Sequence, residues 1–269
     1  TVTGVQTCAL PISLPERLPL RYAQSLLRLS SASRDDLKSE LKELDLPLSV
    51  LSDRAVDGAE IDADDYGRLF IHLIKKLQPQ LVDNRAELDE VLSYSAARML
   101  CIAMCHTPNL EQAMQRAAVY YRRLEADGIS FSLETEGEQT RCIFHFEDSD
   151  SSASLVEPQR FDMGQLHWMA GPAGRLLSVG YIHRLCSWYI GSFIVLDEVM
   201  FAREGMESEG THEDIFGTPV SFDSPYFGFS FASRYLEFPV VRGEAAVDVM
   251  LKTFPAEILK LDPRDDSIS

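Results

Sequence analysis

His167, Trp168, Tyr181, His183, Arg184, Trp188 and Tyr189 crowd into one apolar stretch that holds both tryptophans of the chain and two of its six histidines. An apolar wall with a few fixed polar groups is the usual make-up of a small-molecule site. The planar donor fork of Arg184 suits a carboxylate. The same residues would also serve as an aromatic-rich core helix whose polar tips reach outward. His167, Trp168, Tyr181, His183, Arg184 and Trp188 are therefore the candidate ligand-binding residues, with core packing as the competing role.

Other reactive side chains form weaker patterns. Cys101 and Cys105 sit four residues apart with His106 next in line, which places both thiols on one helix face. Structural zinc wants four ligands, and no second ligand pair lies nearby in sequence, so buried free thiols are expected and no metal. Cys142 and Cys186 also lie in apolar surroundings, without the dense spacing of a disulfide scaffold. His72, His145 and His212 stand alone and are expected to be solvated or satisfied by hydrogen bonds. There is no phosphate-cradling loop, dinucleotide glycine fingerprint, nucleophile elbow or paired-histidine zinc motif. No catalytic residue, cofactor or enzymatic activity is expected.

These residues must be held by a folded frame, and the composition allows one. The chain has 269 residues, 45% of them hydrophobic and 25% charged, as in ordinary globular proteins. No apolar run approaches the roughly 20 residues of a membrane span. Its 25 Lys+Arg against 42 Asp+Glu give a net charge of −17, unfavourable for gripping a phosphate backbone. Residues 1–13 (TVTGVQTCALPIS) carry no charge and no periodicity; they are similar to a translated sequencing adapter and are set aside, as befits an assembled metagenomic sequence.

Periodicity then orders the elements. Apolar positions at helical spacing predict helices over 20–29, over a segment capped by Ser33 that stops before Pro47, and over one capped by Asp62 and closed by Lys75 and Lys76. Further helices are predicted over 87–104 and from an Asn109 cap to Gly128. Alternation at Ile129, Phe131 and Leu133, then Cys142, Phe144 and Phe146, predicts a β-hairpin turning at 136–138. Helical spacing returns over 161–190, with Gly171, Pro172 and Gly174 as a kink or break. A strand over 193–201, short strands at 220–222 and 227–231, a helix over 243–251 and a turn over 255–259 complete the reading. The fold class is α+β, a helical N-terminal half packed with a small, mainly antiparallel sheet and further helices.

Several segments carry a family resemblance. Arg21-Tyr22-Ala23-Gln24-Ser25-Leu26-Leu27 and Asp36-Leu37 resemble the opening of one branch of AraC-type bacterial transcription regulators. The likeness continues through 107–114 (TPNLEQAM), 182–191 (IHRLCSWYIG), 215–222 (IFGTPVSF), 236–241 (LEFPVV), 254–259 (FPAEIL) and 263–269 (PRDDSIS). The resemblance implies an arabinose-binding-like effector domain over 14–262, with 263–269 opening a linker to a C-terminal helix-turn-helix domain that this chain lacks.

What the resemblance implies is a cytoplasmic sensor, an activator in such a regulator, that binds a small-molecule effector and touches DNA only through that C-terminal domain. A dimerisation module without a ligand, its aromatic helix facing a second copy, is the alternative, and a small-molecule enzyme a more distant one. Neither a membrane nor a metal enters any of these.

Overall fold

A computed structural model gives the fold and describes residues 17–29, 33–52, 58–77, 96–124, 129–146, 171–202, 216–222 and 224–261. The segment 1–13, His212 and the range 161–170 lie outside the described residues.

The helices form where apolar spacing and capping agree. Helix α1 (Leu20–Leu29) buries Leu20, Tyr22, Ala23, Leu26 and Leu27 on one side. Helix α2 (Arg34–Glu43) starts at Ser33, whose Oγ accepts from the Asp36 N–H at 3.3 Å, and buries Leu37 and Leu41. Short strands β1 (Arg17–Pro19) and β2 (Glu60–Asp62) pair antiparallel and flank α1 and α2. Asp62 then accepts from the Asp64 N–H at 2.9 Å and opens α3 (Ala63–Leu77), which buries Tyr66, Leu69, Phe70, Ile71 and Leu73. Helix α4 (Ala96–Cys105) is the described part of the helix expected over 87–104. At the start of α5 (Leu110–Leu124) the Asn109 side chain caps the Gln112 N–H at 3.1 Å, as its position implied.

Strands β3 (Ile129–Glu136) and β4 (Gln139–Phe146) form the expected hairpin, turning through Gly137 at φ 60°, a conformation that favours glycine. Strands β5 (Leu196–Met200), β6 (Val220–Ser221) and β7 (Phe227–Ala232) complete a five-stranded sheet in the order β3-β4-β7-β5-β6. Among the described strands of this sheet only the β5–β6 pair is parallel. At Gly228 a Cβ would lie 2.3 Å from the Cys142 carbonyl oxygen, so β4 and β7 approach as closely as they do because no side chain stands there.

Helix α6 (Gly171–Ile190) is continuous and starts at Gly171, Pro172 and Gly174, the residues expected to kink or break the helical stretch. Those residues occupy its first turn, where the missing proline N–H leaves nothing unpaired. The helix ends in a glycine cap: Gly191 at φ 66° donates to the Trp188 carbonyl and Ser192 donates to the Ser187 carbonyl. The strand expected over 193–201 begins only at Leu196. Ile194 is kept out of the sheet by α6, because its N–H donates to Ser187 Oγ and its carbonyl accepts from His183. Helix α7 (Glu244–Lys252) and a 3₁₀ turn (Ala256–Leu259) follow the sheet. One continuous core runs from α1 through α6 to that turn. The architecture is α+β, as periodicity indicated.

Candidate functional site

Helix α6 is buried on nearly all sides. Leu177, Gly180, Tyr181 and Arg184 recur at helical spacing along one face and line a cavity. Helix α1 closes it with Tyr22, Ser25 and Leu26, α3 with Tyr66, and the 3₁₀ turn with Leu259. About 350 Å³ here lies between the atoms, part of it open to solvent, and the enclosed part has room for a water or a very small group as the walls stand.

The wall chemistry is unusual for so buried a place. Arg184 is 1% exposed. Its Nη1 donates to the Leu261 carbonyl and its Nη2 to the Tyr22 hydroxyl at 3.2 Å. The guanidinium also lies over the Tyr22 ring at 5.2 Å and the Phe193 ring at 4.9 Å, where the ring faces favour a cation. The Tyr66 and Tyr181 hydroxyls are close enough to act on each other's ionisation, and burial pushes both far up, so both keep their protons. Ser25 is buried on the same wall, and its Oγ makes no hydrogen bond.

Away from the cavity, α6 is packed against its neighbours. Burial, helped by the neighbouring Arg184 charge, lowers the His183 pKa from 6.5 to about 3, so the ring is neutral. Its Nε2 donates to the Ile194 carbonyl at 2.8 Å, and its ring meets Phe193 and Phe229 edge-on. Trp188 is fully packed, with Nε1 donating to Glu257 Oε1 at 3.3 Å, while Arg242 lies over the indole and donates to the Trp188 carbonyl at 2.9 Å. Lys260 pairs with Glu257 at 2.7 Å. Tyr189 donates to the Cys101 carbonyl at 2.9 Å.

Of the residues singled out in the sequence, Arg184 and Tyr181 therefore reach the cavity. His183 and Trp188 do not: His183, next to Arg184 in the chain, points in another direction, and Trp188, one turn beyond Arg184 on the same side, packs against Tyr189, Arg242 and Glu257. His167 and Trp168 lie outside the described residues. Tyr22, Ser25 and Tyr66 were missed. Their signal was polar tips on otherwise apolar helix faces, Tyr22 and Ser25 being three residues apart on α1.

The cysteine pattern brings no ligands together. Cys105 Sγ donates to the Ile102 carbonyl, His106 pairs with Glu244 at the surface at 2.7 Å, and burial pushes the Cys101 thiol up to about 11. Among the described residues no three His, Cys, Asp or Glu side chains are placed to hold a metal. His72 pairs with Glu40 at 3.1 Å and His145 lies 3.4 Å from Ser132 Oγ.

The family model for the arabinose-binding domain of AraC transcription regulators, N-terminal, matches residues 36–240. The chain belongs to this family. Within the arabinose-binding domain so delimited lie Tyr66, Leu177, Tyr181 and Arg184 of the cavity wall. Tyr22, Ser25 and Leu259 flank the matched segment on either side. No curated protein matches the chain. Membership makes this a domain of transcription regulators, and among the described residues no helix is long and apolar enough to cross a membrane.

Proposed function

We propose that the domain is the ligand-sensing half of an AraC-type regulator, with the effector bound in the cavity between α1, α3 and α6. In this reading it works in the cytoplasm and binds a small metabolite on Arg184 and Tyr181. DNA is touched only by a helix-turn-helix domain joined to it. The observation that carries the reading is the buried Ser25 Oγ, left without a hydrogen bond beside a buried guanidinium and atom-free space. An unmet buried hydroxyl costs about 1–3 kcal/mol, so a ligand that met it would bind better for doing so. A ligand changes DNA binding only by favouring one of two arrangements of sensor and reader. Helix α6 is suited to that bias, because Trp188, one turn beyond Arg184, ties it to the 3₁₀ turn through Glu257.

A thermal-shift screen of small acids and sugars tests the reading, since a ligand selective for the native state raises its melting temperature. The expected result is a hit whose shift is lost when Tyr66→Phe and Tyr181→Phe are combined in a folded variant. A hit that survives this change, with chemical-shift perturbations on the β3–β4 hairpin, would move the site away from the cavity.

A further inference from the structure

Resting on that reading, one residue of α6 governs what can enter the cavity. We infer that Gly180 sets the size of the group the cavity admits, and that a single methyl added there closes it.

Gly180 lies midway along the 20 residues of α6, in helical backbone that any residue adopts. In that setting glycine is a cost. It loses more backbone freedom than alanine and weakens the helix. A glycine inside a helix therefore needs a reason of packing or function. Its position supplies one. Leu177, Gly180, Tyr181 and Arg184 line the cavity at spacings of three and four, and Gly180 is the member of that stripe without a side chain. It is buried, so a Cβ on this face would enter the space between Leu177 and Arg184 and would not reach solvent.

The dimensions agree. The enclosed part of the cavity has room for a water or a very small group, and a methyl is close to a water in size. Alanine would take up that room. A longer side chain would press on Leu26 of α1 and Tyr66 of α3, which wall the same space. A whole metabolite exceeds the enclosed part, so one end of it enters there and the remainder lies in the part open to solvent. The buried Ser25 hydroxyl, without a hydrogen bond on the α1 wall, is available to meet that end. Gly180 thus discriminates among ligands by the bulk of the entering group. One methylene too many in such a place weakens binding by about 10–200-fold.

Two variants of the full chain test this, with readouts that need no ligand. Gly180→Ala should raise the melting temperature by about 2–4 °C, because the helix gains and nothing is displaced. Under pressure, its volume change on unfolding should be less negative by roughly 10–20 mL/mol, the loss of one methyl-sized void. Gly180→Leu, too large for the space, should lower the melting temperature. The small acids and sugars of the screen above, L-arabinose among them, are then titrated against Gly180→Ala. Each that binds the wild type should bind this variant at least about tenfold more weakly. A lower melting temperature in Gly180→Ala would show that the glycine lets a neighbouring backbone approach, and overturns the inference. An unchanged unfolding volume overturns it too, since the space is then not filled. A Gly180→Leu variant as stable as the wild type overturns the size limit. A compound that binds Gly180→Ala undiminished overturns the role of Gly180 in admission and leaves the sensing role standing. No hit on the wild type overturns the sensing reading and with it the admission of a ligand, while the unfolding measurements still decide whether Gly180 keeps the space open.

Discussion

Around His183, Trp188 and Tyr189 the side chains of α6 are packed against their neighbours; around Tyr181 and Arg184 they border free space. His183, Trp188 and Tyr189 each find an acceptor and are buried among aromatic rings. Four positions from Trp188, Arg184 shares its wall with a serine hydroxyl that bonds to nothing. Both regions are equally apolar in sequence. The difference between them is packing, since each holds a buried polar atom without a partner, His183 Nδ1 in one and Ser25 Oγ in the other.

The contrast can be tested from the filled side first. Trp188→Ala removes a buried indole and one of the partners of the Glu257 carboxylate, so it should cost about 3–5 kcal/mol in urea unfolding. A loss under about 1 kcal/mol would mean that this region is not close-packed. His183 comes next. Its native pKa, about 3, lies below the ordinary 6.5, so between those values the unfolded chain binds a proton that the native chain refuses. Stability is therefore complete above pH 6.5 and declines as pH falls, by about 2 kcal/mol between pH 7 and pH 5. Asp35 and Glu40, both held below their usual values, add to the loss only below about pH 4.5. His183→Gln should flatten the decline between pH 7 and pH 5, as denaturant midpoints would show.

Smaller effects should follow. Tyr189→Phe deletes one hydrogen bond to a carbonyl inside α4 and should cost about 1 kcal/mol by the same unfolding measurement. Ser25→Ala, on the unfilled side, should change the stability of the free protein by less than about 0.5 kcal/mol in either direction. A cost comparable to that of Tyr189→Phe would show that the Ser25 hydroxyl is satisfied.

Elements with a one-sided pattern were legible in the sequence. Ser33, Asp62 and Asn109 cap the helices they were expected to cap, and alternation located the β3–β4 hairpin. The limits of β5 were less legible, because Ile194 is claimed by side chains of α6, a contact that no local spacing encodes. For the site, the sequence pointed to the right helix and grouped its packed and its cavity-lining residues together. A helix buried all round shows no preferred direction in its apolar pattern, so nothing distinguished Arg184 from His183. The other half of the cavity comes from α1 and α3, more than a hundred residues earlier.

The order of strands in the sheet has a consequence for how the protein is made. Strand β7 lies between β4 and β5, and Thr140 pairs with Phe231. A ribosome adding about 5–20 residues per second finishes the β3–β4 hairpin roughly four to sixteen seconds before β7 emerges. During that interval β4 presents an unpaired edge that carries Cys142, Ile143 and Phe144. Such an edge is a template for any other extended chain, including the same strand on a neighbouring nascent copy. Slower translation lengthens the exposure, so yield in a heterologous host should depend on synthesis rate and chaperone supply more than on the stability of the finished fold.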